Sequence, residues 1–366
     1  MALSLFRWLF VIARNSSFTY KGRAVDVKQI GRELGVRYVL EGSVRKAGNR
    51  IRIAGQLIDA ETGAHLWADR FDGALEDMFD LQDDLTSSVV GAIAPKLQIE
   101  EIKRAKRKPI ENLNAHDCYL RGLASARLWT KDANREALHY FSKAIALEPG
   151  LAPAYGMAAW CYVRRKAHRW MVERVKESAE AMRLARKAVL LGGNDAVALC
   201  MGGYALAFIA EEFDDAAAYM DRGLAINRNL AQNWMYSGWL RVWRGEPDLA
   251  LAHVAHAIRL SPLDLNAFGM DGANAYAHFL ASRFELASSF AQRSIRGNPN
   301  FRLAIYLSAA SELLAGRLDS AKLTMTRALE LDPDLRVSNL RDLVPFRREK
   351  DFAAFAKALH EAGLPN

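Results

Sequence analysis

The sequence predicts a mainly α chain, a right-handed α-solenoid of stacked helical hairpins preceded by a small α/β domain. Three observations lead there. A closing heptapeptide recurs six times between residues 143 and 333. Small residues return upstream of each close, where the two helices of a hairpin cross and a larger side chain would hold the backbones apart. The first seventy residues follow another rule, a short helical face and then period-2 alternation. The clearest hairpin is Leu230 to Pro262, LAQNWMYSGWLRVWRGEPDLALAHVAHAIRLSP. Trp234, Ser237 and Gly238 share one face of its first helix, Ala250, Val254 and Ala257 share one of its second, and Gly245-Glu246-Pro247-Asp248 breaks the two apart.

Taken in order, the apolar run within Trp8 to Ala13 reads as a buried strand leaving the core; it is short for a targeting segment, and no small-residue cleavage site follows. Asp26 followed by Gln29 is a capping-box start. Val27, Ile30 and Leu34 then form one apolar face, and Gly35 supplies a left-handed stop. Val36, Tyr38 and Leu40 alternate next. Gly48-Asn49 turns the chain into Ile51, Ile53 and Leu57, and Glu61-Thr62-Gly63 feeds His65 to Phe71. The expectation is a three-stranded antiparallel meander preceded by a strand and a helix, over residues 1–74. A long amphipathic helix, Leu75 to about Lys108, connects it to the repeats within residues 75–110. Pro95 should kink this helix, and the basic run Lys103, Arg104, Lys106, Arg107 and Lys108 should end it.

Residues 111–335 carry the repeats. Their closes are KAIALEP (Lys143 to Pro149), KAVLLGG (Lys187 to Gly193), RGLAINR (Arg222 to Arg228), HAIRLSP (His256 to Pro262), RSIRGNP (Arg293 to Pro299) and RALELDP (Arg327 to Pro333). The interval is roughly 34 to 37 residues, except between Pro149 and Gly193, where Lys166 to Val175 adds about ten to one unit. The crossing pairs are Ala137 and Ala144, Ala181 and Ala188, Ala216 and Gly223, Ala250 and Ala257, Ala287 and Ser294, and Ala321 and Ala328. This chain resembles the tetratricopeptide repeat family over about Asp117 to Leu335, with about six units. Two copies lack the closing proline, and Arg121 replaces the bulky residue expected early in the first helix. In residues 336–366, Phe352, Phe355, Ala356 and Leu359 form a last amphipathic helix, the expected cap of the stack.

WLFVIARNSSFTYKG (Trp8 to Gly22), DVKQIGRELGVRYVLEGSVRKAGNRIRI (Asp26 to Ile53) and QLIDAETGAHLWADRFDG (Gln56 to Gly73) resemble the TolB-like domain that precedes tetratricopeptide repeats in bacterial class III adenylyl cyclases and in some winged-helix regulators. The resemblance implies a further strand and helix before Met1, with Ala2-Leu3-Ser4 as that helix's tail, and so a first domain cut short. It implies a cyclase catalytic domain upstream and transfers no catalytic residue to this chain.

Composition narrows the function. The net charge of +8 divides evenly between the first 110 residues and the rest, so it builds no nucleic-acid platform. No apolar run approaches the length of a membrane span. Cys118, Cys161 and Cys200 have no Cys-x-x-Cys partner and read as packed free thiols, which favours a reducing, cytoplasmic setting; a periplasmic one would follow from a span upstream. There is no phosphate-binding glycine loop. Phe79-Asp80-Leu81 resembles a cyclase metal motif but falls within an amphipathic helix. His253 and His256 stand three apart with only His278 conceivable as a third ligand, so no metal is assigned. Ser16 and Ser17 lack a nucleophile motif. The reading is a chain without an enzyme site or cofactor.

Aromatic residues are the remaining lead. In the aligned repeats Trp160, Tyr204 and Trp239 share one position of the first helix, and Trp129, Trp243 and Tyr276 fall about a turn later. In tetratricopeptide arrays that face lines a concave groove, with Arg164 and Arg241 nearby here. Trp160, Arg164, Tyr204, Trp239, Trp243 and Tyr276 are therefore candidates for binding an extended or helical peptide with acidic side chains. The other reading of these rings is core between repeats. The expected function is a non-catalytic protein-interaction and regulatory module, related to the C-terminal part of an adenylate cyclase. The alternatives are the sensor half of a winged-helix regulator and a freestanding scaffold.

Overall fold

The meander forms in the computed structural model, which describes residues 2–6, 9, 11–23, 25–74, 78–262, 264 and 266–366, with the backbone alone for Ala2, Arg14, Asn15 and 78–88. The chain falls into two units, Met1–Lys103 and Arg104–Asn366.

In the first unit, α1 (Arg14–Phe18) and α2 (Val27–Leu34) precede β1 (Tyr38–Ala47), β2 (Arg50–Asp59) and β3 (His65–Ala74), antiparallel in that order. Gly48 takes φ 59° in the first turn. In the second, the Asp59 carboxylate accepts the amides of Glu61 and Thr62 at 2.9 and 2.8 Å. Leu40 stands opposite Leu57, and Leu57 opposite Trp67, so the three share a face. Helix α3 (Met78–Arg107) covers that face with Ile93 and Leu97, which are buried with Leu57 and Trp67. Each fully buried aliphatic side chain here contributes about 2 kcal/mol.

Two expectations fail locally. Asp26 does cap α2, accepting the Lys28 amide at 3.0 Å. Gln29 does not reach back; it donates to Glu33 one turn on at 2.7 Å, the nearer partner on a helix surface. The strand expected within Trp8 to Ala13 is also absent among the described residues, Trp8 and Phe10 lying outside them. The Leu9 amide is spent in a turn to the Phe6 carbonyl at 2.8 Å, and the Ala13 carbonyl already accepts from Ser16 at the start of α1. A strand exists only against a neighbour's edge, and the described sheet ends at β1 and β3. Ala2–Leu5 is a single 3-10 turn. Pro95 sits inside α3 without ending it.

In the second unit the described helices pair into six hairpins: α4 (Ala115–Ala126) with α5 (Lys131–Leu147), α6 (Ala152–Ala167) with α7 (Arg174–Leu191), α8 (Ala196–Ala210) with α9 (Phe213–Ile226), α10 (Ala231–Arg244) with α11 (Pro247–Leu260), α12 (Ala267–Leu280) with α13 (Phe284–Gly297), and α14 (Arg302–Leu314) with α15 (Leu318–Leu331). The crossing alanines and Ser294 named from the sequence are all fully buried. At the clearest crossing, a Cβ on Gly238 would stand 2.6 Å from Val254 Cγ2, so only glycine fits. Each hairpin link contains one residue in the left-handed region: Trp129, Arg169, Glu211, Gly245, Ser282 and Gly316, at φ from 50° to 80°. Arg121, the departure in the first copy, donates to the carbonyls of Ala105 and Lys108 at 3.0 and 2.5 Å.

First helices of successive hairpins pack side by side, α6 on α8, α8 on α10, α10 on α12 and α12 on α14, which makes one continuous inner face. After α15 the chain passes through a 3-10 stretch, Val337–Asp342, into α16 (Glu349–Glu361), which packs on α14. Phe355 and Leu359 are fully buried. Phe352 instead lies under the Arg341 guanidinium, 4.0 Å from the ring centre.

Candidate functional site

The inner face gathers all six candidate residues, and it holds them inside. Trp160, Arg164, Tyr204 and Trp239 are 3–5 % exposed, and Trp243 and Tyr276 are fully buried. Among the described residues the face is closed over them in two ways.

The first closure is across the face. Trp129 donates its indole N–H to Asn266 at 3.1 Å and stands edge-on to Phe268, with ring centres 4.9 Å apart. Arg302 donates to the His168 carbonyl at 2.9 Å, and Arg169 pairs with Asp332 at 3.5 Å. These contacts bring the first two hairpins against the last two. His168 and Arg169 belong to the insertion Lys166 to Val175 that broke the repeat period, and that irregularity was the available signal for them. What remains between the walls is a chamber of about 50 Å³, lined by Trp129, Trp160, Arg164, His168, Tyr204, Tyr236, Trp239 and Phe301.

The second closure is made by the chain's own C-terminal stretch. Phe346 inserts between Trp243, Tyr276 and Phe355, with ring centres 5.5, 6.0 and 5.8 Å away. The Arg347 amide donates to the Trp243 carbonyl at 2.8 Å. Arg347 also pairs with Asp214 at 2.6 Å, and Asp342 with Arg174 at 2.6 Å. Nothing in the repeat pattern reports Phe346, since it stands outside every unit. The two closures communicate through Trp239, which stacks on Trp243 at 5.2 Å.

Electrostatics separate Arg164 from Arg241. Arg241 is balanced by Asp221 at 2.5 Å and Glu246 at 3.2 Å. Arg164 donates one N–H to the Ala126 carbonyl at 2.6 Å and otherwise lies against the faces of Trp129 and Trp160, 4.0 and 4.8 Å from their centres. Burial pushes its pKa down to about 10, so it stays charged at neutral pH. His168 is pushed down to about 3 by burial and then by Arg164 and Arg302, and is neutral.

The remaining sequence candidates have ordinary surroundings. His253 bonds to the Ser237 hydroxyl at 2.9 Å, and His256 lies against Trp234 with ring centres 4.3 Å apart. The three cysteines are free and buried. Among the described residues no His, Cys, Asp or Glu side chains cluster as metal ligands would. Phe79, Asp80 and Leu81 sit in α3, with side chains outside the described set. No described helix is long and apolar enough to cross a membrane.

No family model matches the chain. Among solved structures, a monomeric mutant of IFIT1 with Gppp-AAAA is similar with a TM-score of 0.52 at 14% identity, over 78% of this chain and 66% of that one. A tetratricopeptide repeat protein from Parabacteroides merdae ATCC 43184 has a TM-score of 0.43 at 14% identity, over 79% and 96%. The fold is a tetratricopeptide-type solenoid. In sequence, 193 residues of the chain are 39% identical to "Putative adenylate cyclase 3" of Rhizobium meliloti (strain 1021), covering 53% of this chain and 33% of that protein. The match thus spans about a third of that relative's length. The solenoid described above has its inner face filled by aromatic rings and by residues of its own C-terminal stretch.

Proposed function

We propose that this chain is a non-catalytic interaction and regulatory module that works with an adenylate cyclase catalytic domain, by exchanging its own C-terminal stretch for a peptide of the partner. The observation that carries the reading is the seat of Phe346. There the inner face already holds a stretch of polypeptide through one anchoring ring, one backbone hydrogen bond and two ion pairs. A face that accepts this stretch accepts another of the same chemistry, an aromatic residue followed by arginine, whenever its own is released. Trp243 and Tyr276 would form the floor of that seat. The link to a cyclase is supported by the 39% identity with the Rhizobium meliloti protein, and the first unit is read as TolB-like within the same proposal. A cytoplasmic setting is supported by the three cysteines remaining thiols.

The test uses a fluorescent peptide of residues 340–350, titrated by anisotropy into the wild-type chain and into Phe346→Ala. The variant should bind at least about tenfold more tightly, because its seat is no longer contested. Equal binding, or none to either, would sink the exchange. The regulatory part is tested separately by adding the chain to a purified cyclase catalytic domain and following cyclic AMP formation. An unchanged rate at saturating chain would refute it.

A further inference from the structure

The sheet of the first unit has two edges, and the chain treats them differently. The Ala60 amide donates to the Arg37 carbonyl at 2.7 Å. Antiparallel partners alternate, so the odd-numbered residues of β1 spend their backbone groups on β2, while Tyr38, Leu40, Gly42, Val44 and Lys46 point theirs away from it. Among the described residues these outward groups have no backbone partner. The β3 edge is blunted instead. Its outward Leu66 carbonyl accepts from Lys96 Nζ at 3.4 Å, and its outward Arg70 amide donates to the Asp69 carboxylate at 2.7 Å. An edge left open is a template for another strand. Two of the outward residues of β1, Leu40 and Val44, also leave apolar side chains 44% and 69% exposed. Its charges are unbalanced too. Arg45 stands opposite Arg52, which already pairs with Asp72 at 2.6 Å, and among the described residues Arg45 has no ion pair. Glu41 accepts from Gln56 at 2.8 Å and likewise has no cation against it.

We propose that β1 is the interface of a symmetric dimer, pairing antiparallel with β1 of a second copy about Ser43 and joining two sheets into one of six strands. The strand's own pattern selects both the occupant and the register. With Ser43 on the two-fold axis, Glu41 of each copy stands directly opposite Arg45 of the other, in a non-hydrogen-bonded pair, where side chains come closest. Val44 then lies over Gly42 of the other copy, and Leu40 lies opposite Lys46, whose methylene stem covers it. The hydrogen-bonded pairs, Gly42 with Val44 and Leu40 with Lys46, consist of outward residues alone. The axis that matches the charges therefore also matches the free amides and carbonyls. Moving it to Gly42 or Val44 would set Glu41 against Ser43 or Ala47 and lose both ion pairs. Only the first unit takes part, so this inference does not depend on the peptide exchange proposed above.

The experiment follows the full 366-residue chain by analytical ultracentrifugation at micromolar concentration. The wild type should sediment as a dimer. Its dissociation constant should rise at least about tenfold in Glu41→Arg and in Arg45→Glu, since each variant sets like charges opposite one another twice. An equal mixture of the two variants should recover the dimer, because opposite charges then meet again. Ser43→Cys should form a disulfide-linked dimer under mild oxidation, the axial Cα atoms lying about 4.5 Å apart, whereas Ala47→Cys should not. The three native thiols are buried and do not compete. Should a charge variant fail to fold, the Ser43→Cys cross-link tests the same axis without it. A monomeric wild type would overturn the second copy as occupant of this edge. A dimer indifferent to both charge changes, a mixture no tighter than its components, or a dimer in which Ser43→Cys fails to cross-link would overturn the pairing about Ser43.

Discussion

Gly245→Ala and Gly316→Ala make the same chemical change at equivalent hairpin links, and the structure expects them to cost different amounts. Both glycines are left-handed, at φ 78° and 80°. A Cβ there costs about 1–2 kcal/mol of backbone strain. At Gly316 nothing lies within 4 Å of that Cβ, so the strain is the whole effect. At Gly245 the Cβ would fall 2.1 Å from Arg348 Nε and 2.4 Å from its Cζ, and the guanidinium must swing away. Doing so gives up its 2.5 Å pair with Asp351, whose side chain is 10% exposed against 35% for Arg348. Half-screened by solvent, that pair adds about 0.5–1 kcal/mol. Gly245→Ala should therefore melt about 1–4 °C below Gly316→Ala, measured by circular dichroism at pH 7. In an Arg348→Ala background the difference should vanish. Equal losses in the native background, or a difference that survives removal of Arg348, would refute the reasoning.

Further outcomes follow from the buried face. Trp239→Ala removes a ring that is 3% exposed and whose N–H donates to the Gly269 carbonyl at 3.0 Å, so it should cost about 3–5 kcal/mol in a urea titration; an unchanged midpoint would mean that the ring lines an open groove after all. His168, with its pKa pushed down to about 3, takes up its proton in the unfolded chain near 6.5 but not in the folded one. Stability should thus be intact above pH 6.5 and fall as the pH drops below it, by at most about 1.4 kcal/mol per unit from this residue, and His168→Gln should flatten the slope of stability measured between pH 6.5 and 4.5. Cys161, fully buried and with a thiol pushed up to about 12, should react with a disulfide reagent at pH 8 only as the chain unfolds, and labelling at the rate of a free peptide thiol would contradict its placement.

Much of the architecture could be read from residues alone because its causes are local and repeated. A small residue at every crossing, as at Ala250 and Ala257, is required by how closely two helices approach, and the same requirement recurs in each unit. The meander was legible from alternation plus Gly48-Asn49 and Glu61-Thr62-Gly63. The strand expected near Leu9 failed because alternation says what a segment could bury, whereas a strand also needs a partner edge. Four of the six left-handed links, Trp129, Arg169, Glu211 and Ser282, were invisible, since a residue with a Cβ adopts that conformation only where the surrounding packing imposes it.

The candidate residues show the same division. Their spacing determined that Trp160, Tyr204 and Trp239 share one face of successive first helices, because that is a consequence of helical period and repeat length. Whether the face is open was decided by contacts more than a hundred residues apart in sequence, Trp129 with Asn266 and Arg302 with His168, and by Phe346 from outside the repeats. The residue pattern fixes the curvature of each step only to within small angles, and these add along the array. Meeting of the ends is therefore a property of the accumulated stack, and it is what turns a candidate groove into a covered face.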